Sequence, residues 1–170
     1  YLATGAGTGT KMNIPGEDSP GVLDALSFLR QANGGEKVAI GQRVAVIGGG
    51  NSAMDAARVA LRLGAKEVSI VYRRSRAEMP AAAEEIEETE HEGIKLITLA
   101  APTRVLTENG RITGIQNIKM ELGAPDASGR RRPVPIEGSE YIMGVDNVIM
   151  AIGQAVDRSN LPLSEARRVG

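Results

Sequence analysis

The sequence predicts an α/β fold in which a parallel sheet is covered by helices and carries an antiparallel, three-stranded meander as a crossover. A short β-branched run, Arg43–Ile47, precedes a glycine cluster, a helical pattern and a second apolar run at residues 68–72. This order is typical of a strand–helix–strand unit with parallel strands. Two further apolar runs flank Asn109-Gly110, which signals a β-hairpin. Residues 146–152 form a last apolar run of the kind found in buried parallel strands.

Composition limits the functions that the 170-residue chain can carry. Its length suits one domain, and a formal net charge of −1 gives no general attraction to nucleic acid or membranes. No apolar run reaches the roughly 18 residues that a membrane span needs. The chain has no cysteine and a single histidine, His91, so we expect no metal site and no iron–sulfur cluster in these residues. We expect a cytoplasmic protein without nucleic-acid or membrane partners, and we interpret His91 as a surface residue at a helix end.

The first 41 residues predict a glycine-rich crossover followed by a short helix. Residues 5–9 are rich in glycine, but a dinucleotide loop must follow a strand, and too few residues precede them. The helix is predicted to begin at Asp18, Ser19 or Asp24, each a suitable N-cap, and to end at residues 33–35. Its predicted apolar face comprises Val22, Leu23, Leu26, Phe28 and Leu29.

The chain is organised around the glycine cluster after the first strand, which has the pattern G-x-G-x-x-A. Gly48 permits the tight turn from strand to helix, Gly50 lets a pyrophosphate approach the backbone, and Ala53 lets the helix pack closely on the sheet. The free N–H groups and the positive dipole end of that helix attract phosphate. The predicted phosphate-binding residues are Gly48, Gly49, Gly50, Asn51, Ser52 and Ala53.

Basic residues stand where the second strand ends, in the segment YRRSR at residues 72–76. An acidic residue at this place usually binds the ribose 2′-hydroxyl of NAD, and a methyltransferase-like domain would also have one. Arginine instead matches a 2′-phosphate, to which it donates two hydrogen bonds. We therefore predict that Arg73 and Arg74 bind the 2′-phosphate of NADP(H). Arg76 is left undecided between this role and a solvated turn.

Beyond the second strand we predict a helix that opens at Met79-Pro80 and ends near Gly93, then a third parallel strand at residues 94–99. Residues 155–170 show no clear pattern. The last meander strand begins with Arg130-Arg131-Arg132, which is either a phosphate or nucleic-acid patch or, as we favour, a solvated strand entry. The meander strands are predicted at residues 103–107, 111–122 and 130–141.

Four segments in this order carry a family likeness: IPGED, VAVIGGGNSAMDAARVALRLGA, VYRRSRAEMPA and DNVIMAIGQ. They resemble the NADPH-binding domain of glutamate synthase small (beta) subunits and related FAD-dependent pyridine nucleotide oxidoreductases. The resemblance implies a Rossmann-like, three-layer ββα NAD(P)-binding domain. It also implies that Gly153 lies near the dinucleotide and that Asp55 lies near the nicotinamide. Residues 3–5 and 151–153 match the two segments that cross to and from an FAD domain in that family.

The resemblance implies a parent flavoprotein that holds FAD in a separate domain, and these residues carry no FAD glycine loop. We expect residues 1–41 to lead from that FAD domain, residues 42–154 to bind NADP(H), and residues 155–170 to return to the FAD domain. NADPH would reduce FAD, and FAD would reduce an iron–sulfur or large-subunit partner.

We identify no catalytic acid, base or nucleophile in the chain, and no metal ligand. The isolated domain is therefore expected to have no turnover. The alternative is a stand-alone NADP(H)-binding module that regulates a partner or acts as a scaffold.

Overall fold

The chain folds into two main β-sheets and one layer of helices. The structure is a computed structural model, which describes residues 8–125, 127 and 129–155. The helices are α1 (Ala25–Asn33), α2 (Asn51–Arg62) and α3 (Ala83–His91), with a short 3-10 helix at Arg76–Glu78. The strands are β1 (Thr8–Gly9), β2 (Val22–Asp24), β3 (Arg43–Ile47), β4 (Glu67–Tyr72), β5 (Lys95–Thr98), β6 (Ala100–Glu108), β7 (Arg111–Pro125), β8 (Arg131–Pro135), β9 (Tyr141–Met143), β10 (Asn147–Met150) and β11 (Gln154–Ala155).

The central layer is a five-stranded parallel sheet in the order β2-β10-β3-β4-β5. Successive residues of β3 face opposite layers, as the pleat requires. Val44 and Val46 belong to the apolar core shared with the helices, whereas Ala45 and Ile47 belong to the core shared with the second sheet. Both faces of the sheet are therefore covered, and the prediction of a three-layer ββα fold is confirmed.

Helix α2 packs closely on the parallel sheet because one face consists of small residues. Ala53, Ala56, Ala57 and Ala60 are all fully buried, so the helix backbone can approach the strands. The helix ends at Arg62, and Gly64 follows with a φ of +104°, a conformation that glycine adopts without strain. The predictions of β3, α2 and β4 are confirmed to within a residue at each end.

The second sheet is antiparallel and lies against the other face of the parallel sheet. Its strands β6 and β7 meet in a hairpin at Asn109 and Gly110, whose φ values of +52° and +74° suit this dipeptide. The prediction of one strand over residues 130–141 is wrong in detail. Strands β8 and β9 both pair with β7, and a turn between them is closed by a hydrogen bond from Ser139 N to Ile136 O. The sheet therefore has four strands rather than three.

The segment before β3 differs from the prediction. Asp24 caps α1, since its side chain accepts a hydrogen bond from Ser27 N at 2.9 Å, so one of the three predicted caps is confirmed. Val22 and Leu23 do not lie on the helix but form β2, which pairs with β10. β2 is therefore a strand of the parallel sheet, although it precedes residue 41, where the sequence predicts the crossover segment to end.

Helix α3 begins at Ala83, later than the predicted start at Met79-Pro80. The reason is the 3-10 helix before it, which the side chains of Ser75 and Glu78 cap reciprocally. His91 lies exposed in the last turn of α3, as predicted. In the described ranges no helix is both long and apolar enough to cross a membrane.

At the amino end of the parallel sheet, Asp146 links β10 to β3. Its Oδ1 accepts a hydrogen bond from the Arg43 guanidinium at 2.7 Å, and its Oδ2 accepts from two successive backbone N–H groups where β3 begins. The hydrogen bond from Arg43 holds the pKa of Asp146 below its ordinary value. Asn147 accepts from Gly41 N at 2.7 Å and donates to Gly21 O at 3.1 Å. These contacts fix β10 between β2 and β3.

Candidate dinucleotide-binding site

A cleft opens at the carboxyl ends of β10, β3 and β4, with a volume of about 850 Å³. From β3 the chain moves to β4 and β5 on one side, whereas β10 and β2 lie on the other. Ligands of open α/β sheets bind where the strand order reverses in this way. The volume lies within the roughly 300–1,000 Å³ that small-molecule sites occupy.

Gly48 makes the turn out of β3 and touches the next strand. Its φ is +150°, and a Cβ there would lie 2.3 Å from the backbone oxygen of Ala151. That oxygen cannot move away, since Ala151 N donates to Ile47 O at 2.8 Å and so keeps the end of β10 against β3. Any side chain at Gly48 would force the two central strands apart at the site.

Gly49 is required by packing inside the domain. A Cβ at Gly49 would lie 2.5 Å from the ring of Tyr72, the last residue of β4. Tyr72 is buried, and its hydroxyl donates a hydrogen bond to Glu78 O at 2.8 Å, which fixes the ring. The sequence motif gives Gly49 no separate role, and the structure supplies one.

Gly50 has no comparable neighbour in the described part of the chain. A Cβ there would meet nothing within 4 Å, and its φ of −94° and ψ of 176° suit any residue. No internal contact therefore requires glycine at this place. The open space beside Gly50 lies at the start of α2, where a phosphate would approach the backbone.

The first turn of α2 supplies the donors for such a phosphate. None of the described side chains caps the helix, and the first helical hydrogen bonds run from Ala53 N and Met54 N to Gly50 O. The N–H groups of Asn51 and Ser52 have no partner among the described residues. With the helix dipole they form a site for negative charge.

The segment before α3 is held across the glycine turn. Ala81 N donates to Gly49 O, and Ala82 N donates to Asn51 Oδ1, both at 3.1 Å. Asn51, one of the predicted phosphate-binding residues, thus uses its side-chain oxygen as an acceptor, and its Nδ2 is the side-chain donor. Pro80, at the front of this segment, lines the cleft. The sequence contained no signal for this contact.

The two predicted arginines both line the cleft, but their environments differ. Arg73 is exposed at the end of β4. Arg74 is 6% exposed, and its Nε donates to the backbone oxygen of Arg131 at 2.8 Å. Arg76, the undecided arginine, forms an ion pair with Glu90 at 2.7 Å and is not among the residues that line the cleft.

The other predicted residues lie at different distances from the cleft. Ser52 and Gly153 line it, and Gly153 has a φ of +105°. Ala53 is buried beneath the first turn of α2, as close packing on the sheet requires. Asp55 is exposed on α2 and does not line the cleft.

Several residues that line the cleft are not among the site residues that the sequence predicts. Lys11 and Arg130 line the cleft, as do residues 100–102 at the start of β6. The run of three arginines was the only signal for Arg130.

The glycine turn, the uncapped helix and the arginines at the end of β4 define a Rossmann-like dinucleotide-binding domain. The family of pyridine nucleotide-disulphide oxidoreductases matches residues 1–169, and the chain belongs to this family. The resemblance to FAD-dependent pyridine nucleotide oxidoreductases of the glutamate synthase type is thereby confirmed.

Curated relatives are similar over nearly the whole chain. The NADP(+)-dependent formate dehydrogenase subunit beta of Moorella thermoacetica is 49% identical over 164 residues, 95% of this chain and 23% of the relative. The NADPH-Fe(3+) oxidoreductase subunit beta of Geobacter sulfurreducens is 48% identical over 166 residues, 95% of this chain and 25% of the relative. The glutamate synthase [NADPH] small chain of Escherichia coli is 39% identical over 169 residues, 90% of this chain and 36% of the relative. The chain thus spans about a quarter to a third of the length of these relatives.

Solved structures share the fold at low sequence identity. Mycobacterium tuberculosis FprA in complex with NADPH superposes with a TM-score of 0.77 and 20% identity, over 94% of this chain and 51% of FprA. The thioredoxin reductase of T. acidophilum gives a TM-score of 0.65 with 20% identity, over 89% of this chain and 43% of that enzyme.

Proposed function

We propose that this chain is the NADPH-binding, hydride-donor domain of a flavin-dependent oxidoreductase of the glutamate synthase small-subunit type. In the proposed enzyme, electrons pass from NADPH to FAD in a neighbouring domain of the same parent chain, and then to an accepting partner. When bound, NADPH supplies a hydride from its nicotinamide C4 to the flavin N5. The role of the residues described here is to bind and orient the donor.

The room at Gly50 is the observation that carries this proposal. Nothing in the described chain fills the place of a Cβ there. The N–H groups of Asn51 and Ser52, in the first turn of the helix that follows, have no partners among the described residues. Glycine at this position is explained by a ligand that touches the backbone. A pyrophosphate is the group that fits, because it is anionic and accepts several hydrogen bonds.

Arg73 supports NADP(H) rather than NAD(H) as the dinucleotide. It is exposed at the end of β4 and lines the cleft that contains the glycine turn. A guanidinium there would bind a 2′-phosphate through two hydrogen bonds and would have no comparable partner on a 2′-hydroxyl. The names of the relatives, which specify NADP(+) or NADPH, agree with this choice.

The far end of the cleft would hold the nicotinamide half of the dinucleotide. Met150, Ala151 and Gly153 line it where β10 ends. The side chains of Met150 and Ala151 can position a ring and exclude water, but they transfer no proton. We therefore assign positioning, and not acid–base chemistry, to the domain.

The proposal also includes an FAD domain in the same parent chain and an electron acceptor in another subunit. Strand β1 pairs with β11 in antiparallel fashion, so the chain enters and leaves the described region side by side. This agrees with a domain inserted into another domain. Of the two predicted crossings, residues 151–153 are described, whereas Ala3-Thr4-Gly5 and residues 156–170 lie outside the described residues. Three relatives are named as subunits or small chains, which supports a separate acceptor subunit.

Calorimetric titration of the chain with NADPH and with NADH tests the proposal. We expect NADPH to bind at least about tenfold more tightly, since one charge-assisted hydrogen bond is worth about 1.5–3 kcal/mol. Arg73→Gln should remove most of that difference by weakening NADPH and leaving NADH unchanged. Arg111→Gln, at an exposed hairpin residue away from the cleft, is the matched control and should change neither affinity.

Two results would contradict the proposal. A chain that binds neither dinucleotide has no donor site. A chain that binds NADPH and NADH equally well does not use Arg73 to recognise a 2′-phosphate.

A further inference from the structure

We propose that Arg130, carried by the antiparallel sheet, joins Arg73 at the 2′-phosphate site and helps to set the preference for NADP(H). The inference rests on the proposed function, since it concerns how the same cleft recognises its dinucleotide. The sequence favours a solvated strand entry for this residue, but in the fold Arg130 lines the cleft.

Arg130 lies in the connection between β7 and β8, far along the chain from the glycine turn. In the folded chain it nevertheless lines the same cleft as Arg73, Arg74 and the start of α2. The antiparallel sheet packs against one face of the parallel sheet and thereby brings Arg130 and Arg131 near the carboxyl end of β4. Arg130 thus reaches the cleft from the antiparallel sheet, whereas Arg73 reaches it from the end of β4.

Neighbouring contacts fix the backbone that carries Arg130. Arg74, almost fully buried, donates its Nε to Arg131 O at 2.8 Å and so ties the start of β8 to the end of β4. The Arg131 side chain in turn donates to Leu122 O at 2.5 Å and to Gly123 O at 3.3 Å, which holds β8 to β7. Arg74 therefore acts here as a positioning residue for the start of β8, next to Arg130.

Charge is distributed unevenly along the cleft. Arg73, Arg74 and Arg130 are gathered near the end of β4. Among the described residues that line the cleft, the acidic side chain is Asp24, at the end of β2, and Lys11, a further basic residue there, forms an ion pair with Asp18. Three strand spacings separate β2 from β4, a distance of about 14 Å. A group with two negative charges is therefore favoured at the β4 end and disfavoured at the β2 end.

A 2′-phosphate between the two sheets would meet Arg73 from one side and Arg130 from the other. A 2′-hydroxyl carries no charge, so the same arginines would gain nothing from it. The antiparallel sheet would then contribute to dinucleotide preference as well as to the structure of the domain.

Titration of the Arg130→Gln chain with NADPH and NADH tests this inference. We expect the affinity for NADPH to fall about tenfold, the effect of losing one charge-assisted hydrogen bond, while the affinity for NADH stays within about twofold. Arg132→Gln is the matched control, because Arg132 is exposed two residues away and does not line the cleft. Arg130→Lys should fall between the wild type and Arg130→Gln, since lysine keeps the charge but not the two-pronged hydrogen bonding. Thermal unfolding of each variant verifies the fold.

The outcomes separate this inference from the proposed function. If the wild type prefers NADPH and Arg130→Gln binds both dinucleotides as the wild type does, the inference is overturned and the proposed function stands. Equal weakening of NADPH and NADH by Arg130→Gln also overturns it. If the wild type binds neither dinucleotide, both are overturned.

Discussion

Replacing Gly50 with alanine should abolish most dinucleotide binding without unfolding the chain. The backbone conformation of Gly50 is accessible to alanine, and the added Cβ would meet nothing within 4 Å in the described chain. Alanine is a poorer N-cap than glycine by roughly 0.5–1 kcal/mol. It also restricts the unfolded chain, which returns about 0.4–1 kcal/mol. The free energy of unfolding should therefore stay within about 1 kcal/mol of the wild type.

The loss of binding follows from the same geometry. The Cβ of Gly50→Ala would occupy the room in which a pyrophosphate approaches the start of α2. Losing one charge-assisted hydrogen bond costs about 1.5–3 kcal/mol. The dissociation constant for NADPH should then rise by a factor of about 10 to about 100. Urea unfolding measures the stability, and calorimetric titration with NADPH measures the binding.

Gly49→Ala is the matched comparison, one residue earlier in the same turn. Its Cβ would lie 2.5 Å from the Tyr72 ring, which is held by a hydrogen bond to Glu78 O. Overpacking of this kind costs about 1–3 kcal/mol, so this variant should lose stability. The reasoning is refuted if Gly50→Ala binds NADPH as tightly as the wild type, or if it is destabilised as much as Gly49→Ala.

Two further predictions concern the amino end of the sheet. Asn147→Ala should lower the free energy of unfolding by about 1–3 kcal/mol, because Gly41 N loses its acceptor and Gly21 O keeps only the hydrogen bond from Val148 N. Urea unfolding checks this, with the exposed Gln31→Ala variant expected to stay near the wild type. Because the pKa of Asp146 is lowered in the folded chain, its stabilisation is present above the unfolded pKa of about 3.9 and is lost as the pH falls through the folded pKa. Asp146→Asn should therefore be less stable than the wild type at pH 7 by about 1 kcal/mol, and urea unfolding should show the difference fading below about pH 4. A difference that persists unchanged at low pH would argue against this account.

Local patterns in the sequence predicted the parallel sheet well. Arg43–Ile47 is buried on both faces, so its continuous apolar run could be recognised without knowledge of its partners. The small face of α2 and the glycine turn are likewise local features. The same holds for the Asn109-Gly110 hairpin, in which the backbone conformation depends on the two residues themselves.

The elements that were missed depend on contacts distant in sequence. β2 is three residues long and is a strand only because β10 pairs with it. The break between β8 and β9 arises where the edge of β7 changes partner. The same limit applies to the cleft, since neither Pro80 nor Arg130 is adjacent in sequence to the glycine turn. The burial of Arg74 likewise depends on a carbonyl group of the other sheet.

A crystal structure of the chain with NADP⁺ tests the central claim most directly. The account predicts the pyrophosphate against Gly50 and the N–H groups of Asn51 and Ser52, with the 2′-phosphate beside Arg73. A dinucleotide bound outside this cleft, or one whose 2′-phosphate lies at the β2 end near Asp24, would contradict it.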